Sequence, residues 1–281
     1  MIEIRPFDAP CGAEVRGVRF DRRLGDDVRL ELLAALAAHK VLVLRGHELP
    51  DPEAFREFGL RLGPLRPSVA DLSRLRDYEE INLVSNTVDA HGVTGTGGTG
   101  VIEWHADMNF EAPATDFIVL DAVEVPPSGG NTRFCNLHAA YRSLAPGLQQ
   151  RIEHLEVRYS FRGDLDYAKL SEEHLASLRT VVHPVVQARF PSLERSLWPN
   201  VGIFDGSVLG LSPEASAELL AVLFAAATDE RNVFEHEWQE GDCAVWSNWS
   251  VFHRREPFDP DHRRVMRHLT VSEGGPQLPA A

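Results

Sequence analysis

The stretch Ile118-Val119-Leu120-Asp121-Ala122-Val123-Glu124-Val125 is an apolar run that ends at the turn Pro126-Pro127-Ser128-Gly129-Gly130. A second run, Thr132 to Cys135, follows at once, and short runs bounded by Pro and Gly are typical of β-strands. Further strand-like runs lie at 234–238, 243–246 and 264–271. Many short strands with inserted helices predict a jelly-roll barrel wrapped by helices, an α+β fold with a double-stranded β-helix (cupin-like) core.

Other elements follow from capping residues and apolar periodicity. Asp26 or Asp27 is the expected cap of a helix that buries Leu30, Leu33, Ala34 and Ala37. Asp51-Pro52-Glu53 begins a second helix that ends at Gly63-Pro64, and Ser212-Pro213-Glu214 begins another. We also expect strands at 2–5 and 40–45, helical stretches at roughly 137–156 and 171–180, and mobile, lid-like segments at 87–100 and 162–182.

The composition predicts a single globular domain. Hydrophobic residues make up 43% and charged residues 25% of the 281 residues, and no Ser/Gly/Pro-rich linker divides the chain. We therefore expect one domain over residues 1–273 and a disordered tail over 274–281. A net charge of −14 disfavours nucleic acid and anionic membranes as partners, and leaves a small molecule as the expected one. The oligomeric state stays open, a homo-oligomer included.

Cysteine usage and the first residues predict a cytoplasmic protein. Cys11, Cys135 and Cys243 are odd in number and widely spaced, as expected of reduced thiols rather than of disulfides or a zinc site. The start of the chain lacks the basic and apolar regions of a signal peptide. No apolar run reaches the roughly 18 residues of a membrane span.

Trp104-His105-Ala106-Asp107 and the distant His253 supply candidate metal ligands. Two histidines and one carboxylate form the facial triad that binds Fe(II) and leaves the opposite positions open. In a strand, His105 and Asp107 point to the same side and can share one ion. The alternative is a hydrogen-bonded pair at a strand edge, and the triplet alone leaves both interpretations open.

A second triplet of the same form, His154-Leu155-Glu156, shows how weak this spacing is by itself. It lies in a helical pattern, where residues two apart diverge by about 200° and cannot chelate one ion. We interpret it as a chance match. The aromatic Trp104 and the preceding glycine-rich loop favour the first triplet.

Arg264 and Thr132 are candidates for binding a co-substrate carboxylate. An enzyme that uses 2-oxoglutarate needs a cation for the far carboxylate, and a guanidinium pairs with it bidentately and stays charged when buried. Thr132 could donate a hydroxyl hydrogen bond to the same group. The alternative for Arg264 is a surface salt bridge with Asp261 or Glu256.

Taken in order, the motifs of this chain resemble those of the taurine dioxygenase and 2,4-dichlorophenoxyacetate dioxygenase (TauD/TfdA-like) family of Fe(II)/2-oxoglutarate enzymes. The resemblance runs from about Ile4 to Val271. It implies that His105, Asp107 and His253 bind Fe(II) as the catalytic centre. It also implies that Thr132 and Arg264 hold 2-oxoglutarate and that O2 is the oxidant. The motifs are Trp104-His105-x-Asp107, Pro126-x-x-Gly129-Gly130-x-Thr132, Ala140-Tyr141-x-x-Leu144, Trp238-x-x-Gly241-Asp242, Trp246-x-Asn248 through His253, and Arg263-Arg264-x-Met266.

Departures from the family pattern concern the substrate more than the metal. The usual Trp-Asp-Asn is Trp246-Ser247-Asn248 here, a change we expect to be structural. The arginine that binds the sulfonate of taurine aligns with His268, and the histidine that assists it falls near Ser68. Taurine is therefore not the expected substrate. Arg267 is expected to face away from His268, since neighbouring strand residues alternate.

The sequence thus predicts a dioxygenase that hydroxylates an unactivated carbon of an amino acid or other small metabolite, secondary metabolism included, with release of succinate and CO2. Related iron halogenases have Ala or Gly at the position of Asp107, so its carboxylate favours hydroxylation. Other readings are desaturation or halogenation on the same scaffold, a non-catalytic metal-binding jelly-roll protein, and a zinc hydrolase with Glu103 as base. Candidate substrate contacts are His268, Asn86, Asn109 and Phe110, followed by Ser85, Arg162, Trp198 and Asn200.

Overall fold

The computed structural model describes residues 2–20, 25–67, 71–88, 95–109, 115–160 and 180–272. Its α-helices are α1 (Asp26–His39), α2 (Pro52–Leu62), α3 (Leu137–Ser143), α4 (Pro146–Ile152) and α5 (Pro213–Ala227). Its strands are β1 (Glu3–Pro6), β2 (Ala13–Arg16), β3 (Val41–Arg45), β4 (Leu65–Arg66), β5 (Asn82–Ser85), β6 (Thr96–Gly97), β7 (Ile102–His105), β8 (Phe117–Glu124), β9 (Thr132–Asn136), β10 (Glu156–Ser160), β11 (Val181–Pro184), β12 (Val186–Ala188), β13 (Arg195–Leu197), β14 (Asp205–Val208), β15 (Val233–His236), β16 (Cys243–Ser247), β17 (Val251–Arg255) and β18 (Val265–Val271).

Two sheets carry the site. The larger has nine strands in the order β1-β2-β3-β16-β8-β18-β5-β6, with β4 beside β18, and the smaller has the order β15-β9-β17-β7. The chain crosses between them repeatedly, since β7, β9 and β17 lie in the small sheet while β8, β16 and β18 lie in the large one. A three-stranded sheet (β11-β10-β14) and a two-stranded one (β12-β13) complete the architecture.

A buried apolar layer holds the two main sheets together. Ile118 and Leu120 of β8 and Met266 of β18 pack with Phe134 of β9 and Val251 of β17. Because strand side chains alternate between faces, these residues leave the opposite face of the large sheet for α1 and α2, whose apolar residues form a second cluster with it. The metal-ligand candidates lie at the end of the layer between the sheets.

Two of the predicted helices begin and end where their capping residues indicate. The side chain of Asp51 accepts a hydrogen bond from Ala54 N (2.8 Å), and Gly63 ends α2. Ser212 caps α5 through Ala215 N (3.3 Å). Both predictions are confirmed.

Helix α1 departs from its predicted cap and face. Its N-cap is Gly25 without a side-chain hydrogen bond, and its buried residues are Leu32, Leu33, Ala35 and Leu36. Leu30, which we expected in the core, is 60% exposed. The helix is rich in Ala and Leu on every side, so apolar periodicity alone does not select the face that meets the sheet.

The stretch predicted as one helix over 137–156 consists of two short helices and the start of a strand. Pro146 lacks a backbone N–H and disfavours helical geometry in Ala145 before it, so α3 ends and α4 begins there with Pro in its first turn. His154 follows α4 in a turn and Glu156 begins β10, both exposed. The helical interpretation of this second triplet was therefore wrong, although its two side chains remain on the surface.

Several expected features fall outside the described residues. These are nearly all of the 171–180 helix, most of the segment 162–182, residues 89–94 of the first lid-like segment, and the tail from 273. The three cysteines are buried and unpaired. Among the helices of the described ranges, none is both long and apolar enough to cross a membrane.

Candidate active site

Three side chains converge where the two sheets meet. His105 at the end of β7 is the cross-strand partner of His253 on β17, and their ring centroids are 4.1 Å apart. Asp107 lies between them, with Oδ1 3.4 Å from His105 Nε2 and Oδ2 3.9 Å from His253 Nε2. One ligand atom from each residue lies within 4.8 Å of the others. This spacing suits three ligands of one ion.

Asp107 reaches this position by a different route from the one the sequence predicted. Strand β7 ends at His105, and Asp107 begins a turn in which Met108 has a φ of 57°. The two side chains share an ion-sized space because the chain bends at the strand end, not because strand residues alternate. Glu103, the base that a zinc hydrolase would need, lies at the surface with its carboxylate 3.8 Å from Arg254.

Two asparagines fix the backbone of the ligand loop. Asn200 Oδ1 accepts from Ala106 N and its Nδ2 donates to Ala106 O, both at 3.0 Å. Asn248 does the same for Asp107, with both hydrogen bonds at 2.9 Å. Each side-chain amide thus supplies the two backbone hydrogen bonds that a neighbouring strand would otherwise make. We had considered Asn200 as a substrate contact, but both of its amide atoms are engaged with the chain.

The hydrogen bonding and burial of the two histidines fit metal ligation. His105 Nδ1 lies 2.6 Å from the carbonyl oxygen of Glu103, so Nδ1 carries the hydrogen and the Nε2 lone pair faces Asp107. Burial, together with the adjacent His105, lowers the pKa of His253 to about 3. The His253 ring is therefore neutral at neutral pH and offers a lone pair. Two imidazole nitrogens and a carboxylate are the donor set that suits Fe(II).

Arg264 is a buried cation, not a surface residue. It is 2% exposed, and in the described part of the chain its guanidinium meets no carboxylate while its Nε has no hydrogen-bond partner. Burial, reinforced by the positive charge of Arg255, lowers its pKa to about 9. The alternative of a surface salt bridge was wrong, since Glu256 pairs with Arg254 instead (3.2 Å). An uncompensated buried guanidinium favours binding of an anion.

Thr132 is buried two residues after Gly130, the glycine that adjoins this cation, and its side chain is held in place. The indole Nε1 of Trp238 donates to Thr132 Oγ1 (2.9 Å), which leaves the hydroxyl hydrogen of Thr132 free to donate elsewhere. Gly130, in the preceding turn, has a φ of 68°, and a Cβ there would lie 3.1 Å from Arg264 Nε. The glycine thus makes room for the guanidinium. In the sequence, Trp238 stands out only as part of the motif Trp238-x-x-Gly241-Asp242, which does not indicate this contact.

Arg255 fastens the glycine-rich segment that precedes β7. Its guanidinium donates to the carbonyl oxygens of Gly98 (2.9 Å), Gly97 (2.6 Å) and Gly100. The side chain is 5% exposed. The described end of this segment, expected to be mobile, is therefore tied to the strand that carries His253.

The structure brings one of the candidate substrate residues to the metal ligands. His268 Nε2 lies 3.2 Å from Asp107 Oδ2. Arg267 points the other way, as predicted, and donates to Asp121 (2.9 Å) and to the carbonyl of Pro50 (2.7 Å). Asp121 is buried within the large sheet.

The other candidates have different surroundings. The side-chain amide of Asn86 is hydrogen-bonded to the turn before β18: Nδ2 donates to His262 O (2.8 Å) and Oδ1 accepts from Arg264 N (2.9 Å). Asn109 is fully buried, and neither of its amide atoms has a partner in the described ranges. Trp198 belongs to the core and donates to the Asn248 carbonyl (3.3 Å). Phe110, Arg162 and Ser68 lie outside the described residues.

Comparison with known proteins identifies the family of this chain. The family model "Taurine catabolism dioxygenase TauD, TfdA family" matches residues 3–270. Pentalenolactone F synthase of Streptomyces arenae is 33% identical, over 95% of this chain and 94% of that protein. The alpha-ketoglutarate-dependent 2,4-dichlorophenoxyacetate dioxygenase of Cupriavidus pinatubonensis is 32% identical, over 95% and 96%.

A solved structure shares the fold along the whole chain. The crystal structure of AAD-2 in complex with Mn(II) and N-oxalylglycine superposes with a TM-score of 0.79 at 25% identity, covering 99% of this chain and 100% of that one. The family match spans both main sheets and every candidate ligand. This chain is a member of the TauD/TfdA family of dioxygenases.

Proposed function

We propose that the chain is an Fe(II)- and 2-oxoglutarate-dependent dioxygenase that hydroxylates an unactivated carbon of a small molecule, with release of succinate and CO2. The observation that carries this proposal is the buried guanidinium of Arg264, which meets no carboxylate among the described residues, in a protein that also clusters two histidines and a carboxylate. A buried charge without a partner is costly. A dicarboxylate co-substrate explains why the chain keeps it, whereas a protein that only held a metal would have no use for it.

The roles of the residues follow from their contacts. His105, Asp107 and His253 would hold Fe(II), and Thr132 and Arg264 would bind the far carboxylate of 2-oxoglutarate through a hydroxyl hydrogen bond and a guanidinium pair. When bound, the metal, the co-substrate and O2 supply the oxidising chemistry.

The rest of the protein supplies geometry to this site. Asn200 and Asn248 fix the ligand loop, the His105 tautomer presents Nε2, and Trp238 orients Thr132. The buried surroundings exclude water from the reacting groups. We also propose that residues 1–273 form one dioxygenase domain and that its two packed sheets are the double-stranded β-helix expected from the sequence.

The substrate we propose is a small organic metabolite other than taurine. Similar proteins bear names that point to different substrates, such as pentalenolactone F synthase and 2,4-dichlorophenoxyacetate dioxygenase. His268 contacts a carboxylate of this chain, so it is not free to act as the cation of a sulfonate site. An amino acid or another small metabolite, including one of secondary metabolism, fits this arrangement.

Anaerobic titration tests the metal and co-substrate site. Fe(II) followed by 2-oxoglutarate should produce a visible charge-transfer band, and the His105→Ala and Asp107→Ala variants should lose both the band and succinate formation. Arg264→Leu should keep Fe(II) binding but require far more 2-oxoglutarate for the band. Arg254→Gln removes a neighbouring arginine that pairs with surface carboxylates and should behave as wild type.

Product analysis tests the reaction. A screen of amino acids, aryloxy acids, alkyl sulfates and antibiotic-pathway metabolites for succinate release identifies a substrate, whose product should have gained one oxygen atom. A product that has instead lost two hydrogen atoms would show that the reaction is a desaturation and not a hydroxylation. Absence of the band in the wild type, or wild-type turnover in the Asp107→Ala variant, would refute the proposed site.

A further inference from the structure

We propose that His268 is a positioning residue for Asp107 and not the substrate contact that the sequence suggested. In this proposal the imidazole holds Oδ2 of Asp107, and so fixes the orientation of the carboxylate between His105 and His253. The inference rests on the proposed function, since it concerns a residue proposed to bind Fe(II).

The two oxygens of Asp107 have different neighbours. Oδ1 lies 3.4 Å from Nε2 of His105, while Oδ2 lies 3.2 Å from Nε2 of His268 and 3.9 Å from Nε2 of His253. An ionised carboxylate only accepts hydrogen bonds, so Nε2 of His268 must carry a hydrogen and donate it. This holds whichever state its other nitrogen adopts.

The strand that carries His268 is well placed to hold it still. On β18, His268 is paired with Leu120 of β8 on one side and with Asn82 of β5 on the other. It is thus flanked by strands on both sides. The imidazole and the Asp107 side chain are only 17% and 20% exposed, so water competes weakly for their hydrogen bond.

His268 contacts the Asp107 carboxylate but does not belong to the group of candidate metal ligands. The group whose ligand atoms all lie within 4.8 Å of one another contains His105, Asp107 and His253, and His268 is not a member in the described ranges. Asn248 already fixes the backbone of Asp107. His268 adds the restraint on the side chain, which keeps the carboxylate in one orientation.

Loss of the His268–Asp107 hydrogen bond should have a measurable effect on metal binding. Removing a residue that hydrogen-bonds to a metal ligand and orients it typically lowers metal affinity by about 10- to 100-fold. A released carboxylate could also turn, which would change how its oxygens meet the metal. Both effects concern the metal and not the substrate, so they separate a positioning role from a substrate contact.

The test compares His268→Gln with His268→Asn in the full chain, using Co(II) as a probe under anaerobic conditions. Gln is long enough for its amide N–H to reach Oδ2 as Nε2 does, whereas Asn is equally polar but too short. We expect Asn to weaken Co(II) binding by about 10- to 100-fold and to change the intensity of the visible ligand-field bands. Gln should stay within about threefold of wild type. His154→Leu removes an exposed histidine of the second triplet and should change neither readout.

Each outcome decides the proposal. Wild-type Co(II) affinity and spectrum in His268→Asn would overturn it. Loss of Co(II) binding in both variants to the level of His105→Ala would make His268 a fourth ligand. A raised substrate KM with unchanged Co(II) binding would restore it as a substrate contact. Should His268→Asn fail to fold, judged by circular dichroism, His268→Leu gives the comparison with Gln.

The same experiment separates this inference from the proposed function. Absence of Co(II) binding or of the Fe(II)/2-oxoglutarate band in the wild type would refute the function itself. A wild type that shows both, with unchanged His268 variants, would refute only the positioning role.

Discussion

Replacing Asn248 with Ala should weaken both the fold and the metal site, and the structure sets the size of the effect. The fully buried amide makes three hydrogen bonds, with the N–H and C=O of Asp107 (2.9 Å each) and the carbonyl of Thr115 (3.2 Å). At a net value of about 1 kcal/mol each, their loss should lower the free energy of unfolding by about 3 kcal/mol. Because two of the three hold a proposed ligand, metal affinity should fall as well.

Matched variants locate this effect. Asn200→Ala removes two side-chain hydrogen bonds, both to Ala106, and should cost about 2 kcal/mol. Asn248→Asp keeps the acceptor for Asp107 N but turns a carboxylate oxygen toward two carbonyls, so it should be at least as destabilising as Ala. Asn131→Ala loses only a hydrogen bond to an exposed Glu235 and should stay within about 0.5 kcal/mol of wild type.

Urea unfolding followed by circular dichroism gives the stability of the metal-free protein, and Co(II) titration gives the affinity. The reasoning predicts that Asn248→Ala is the most damaging of the three alanine variants in both assays. It would be refuted if Asn248→Ala cost no more than Asn131→Ala, or if its unfolding shifted while Co(II) affinity stayed at the wild-type value.

Three further substitutions test other contacts. Trp238→Phe keeps the aromatic packing but removes the donor to Thr132, so the KM for 2-oxoglutarate in succinate assays should rise about fivefold with kcat little changed, by the loss of about 1 kcal/mol; an unchanged KM would contradict this role. Gly202→Ala places a Cβ 1.9 Å from a backbone oxygen of β7 and should lower the melting temperature, whereas Gly147→Ala, with nothing within 4 Å, should not. Burial opposes ionisation of Asp242, but hydrogen bonds from Arg45 and His236 outweigh it and lower its pKa to about 2. The ionised carboxylate should add roughly 2 kcal/mol to the free energy of unfolding above pH 4, and this contribution should be lost as the pH falls from about 4 to 2. In Asp242→Asn the free energy of unfolding should therefore change less with pH between 4 and 2 than in the wild type, and an equal change would count against this role.

The residue types of the site could be predicted because their chemistry is visible without the fold. His105, Asp107 and His253 come together, and Arg264 is buried with no carboxylate partner in the ranges that the structure describes. The path to this geometry was harder to predict. Strand alternation gave the correct side for Asp107 for the wrong reason, because a bend at the end of β7 is not encoded in apolar periodicity.

The supporting contacts left no signal in the sequence. Asn200 lies 94 residues from the backbone it holds, Asn248 lies 141, and Trp238 lies 106 from Thr132. Hydrogen bonds over such separations create neither a period nor a local motif. His268 was found because a family resemblance placed it in the site, but its contact with Asp107 depended on the packing of β18 against the ligand loop.

The pairing of β7 with β17 has a consequence for the synthesis of the chain on the ribosome. The strand that carries His105 finds its partner on β17, and the loop after it is fastened by Asn200 and Asn248. A nascent chain therefore displays two of the three proposed ligands long before the third is translated. Pairing over such distances is slow, so we expect iron to be captured only after synthesis is nearly complete. We therefore expect that a partly translated chain, with only two of the three proposed ligands, does not retain a redox-active ion.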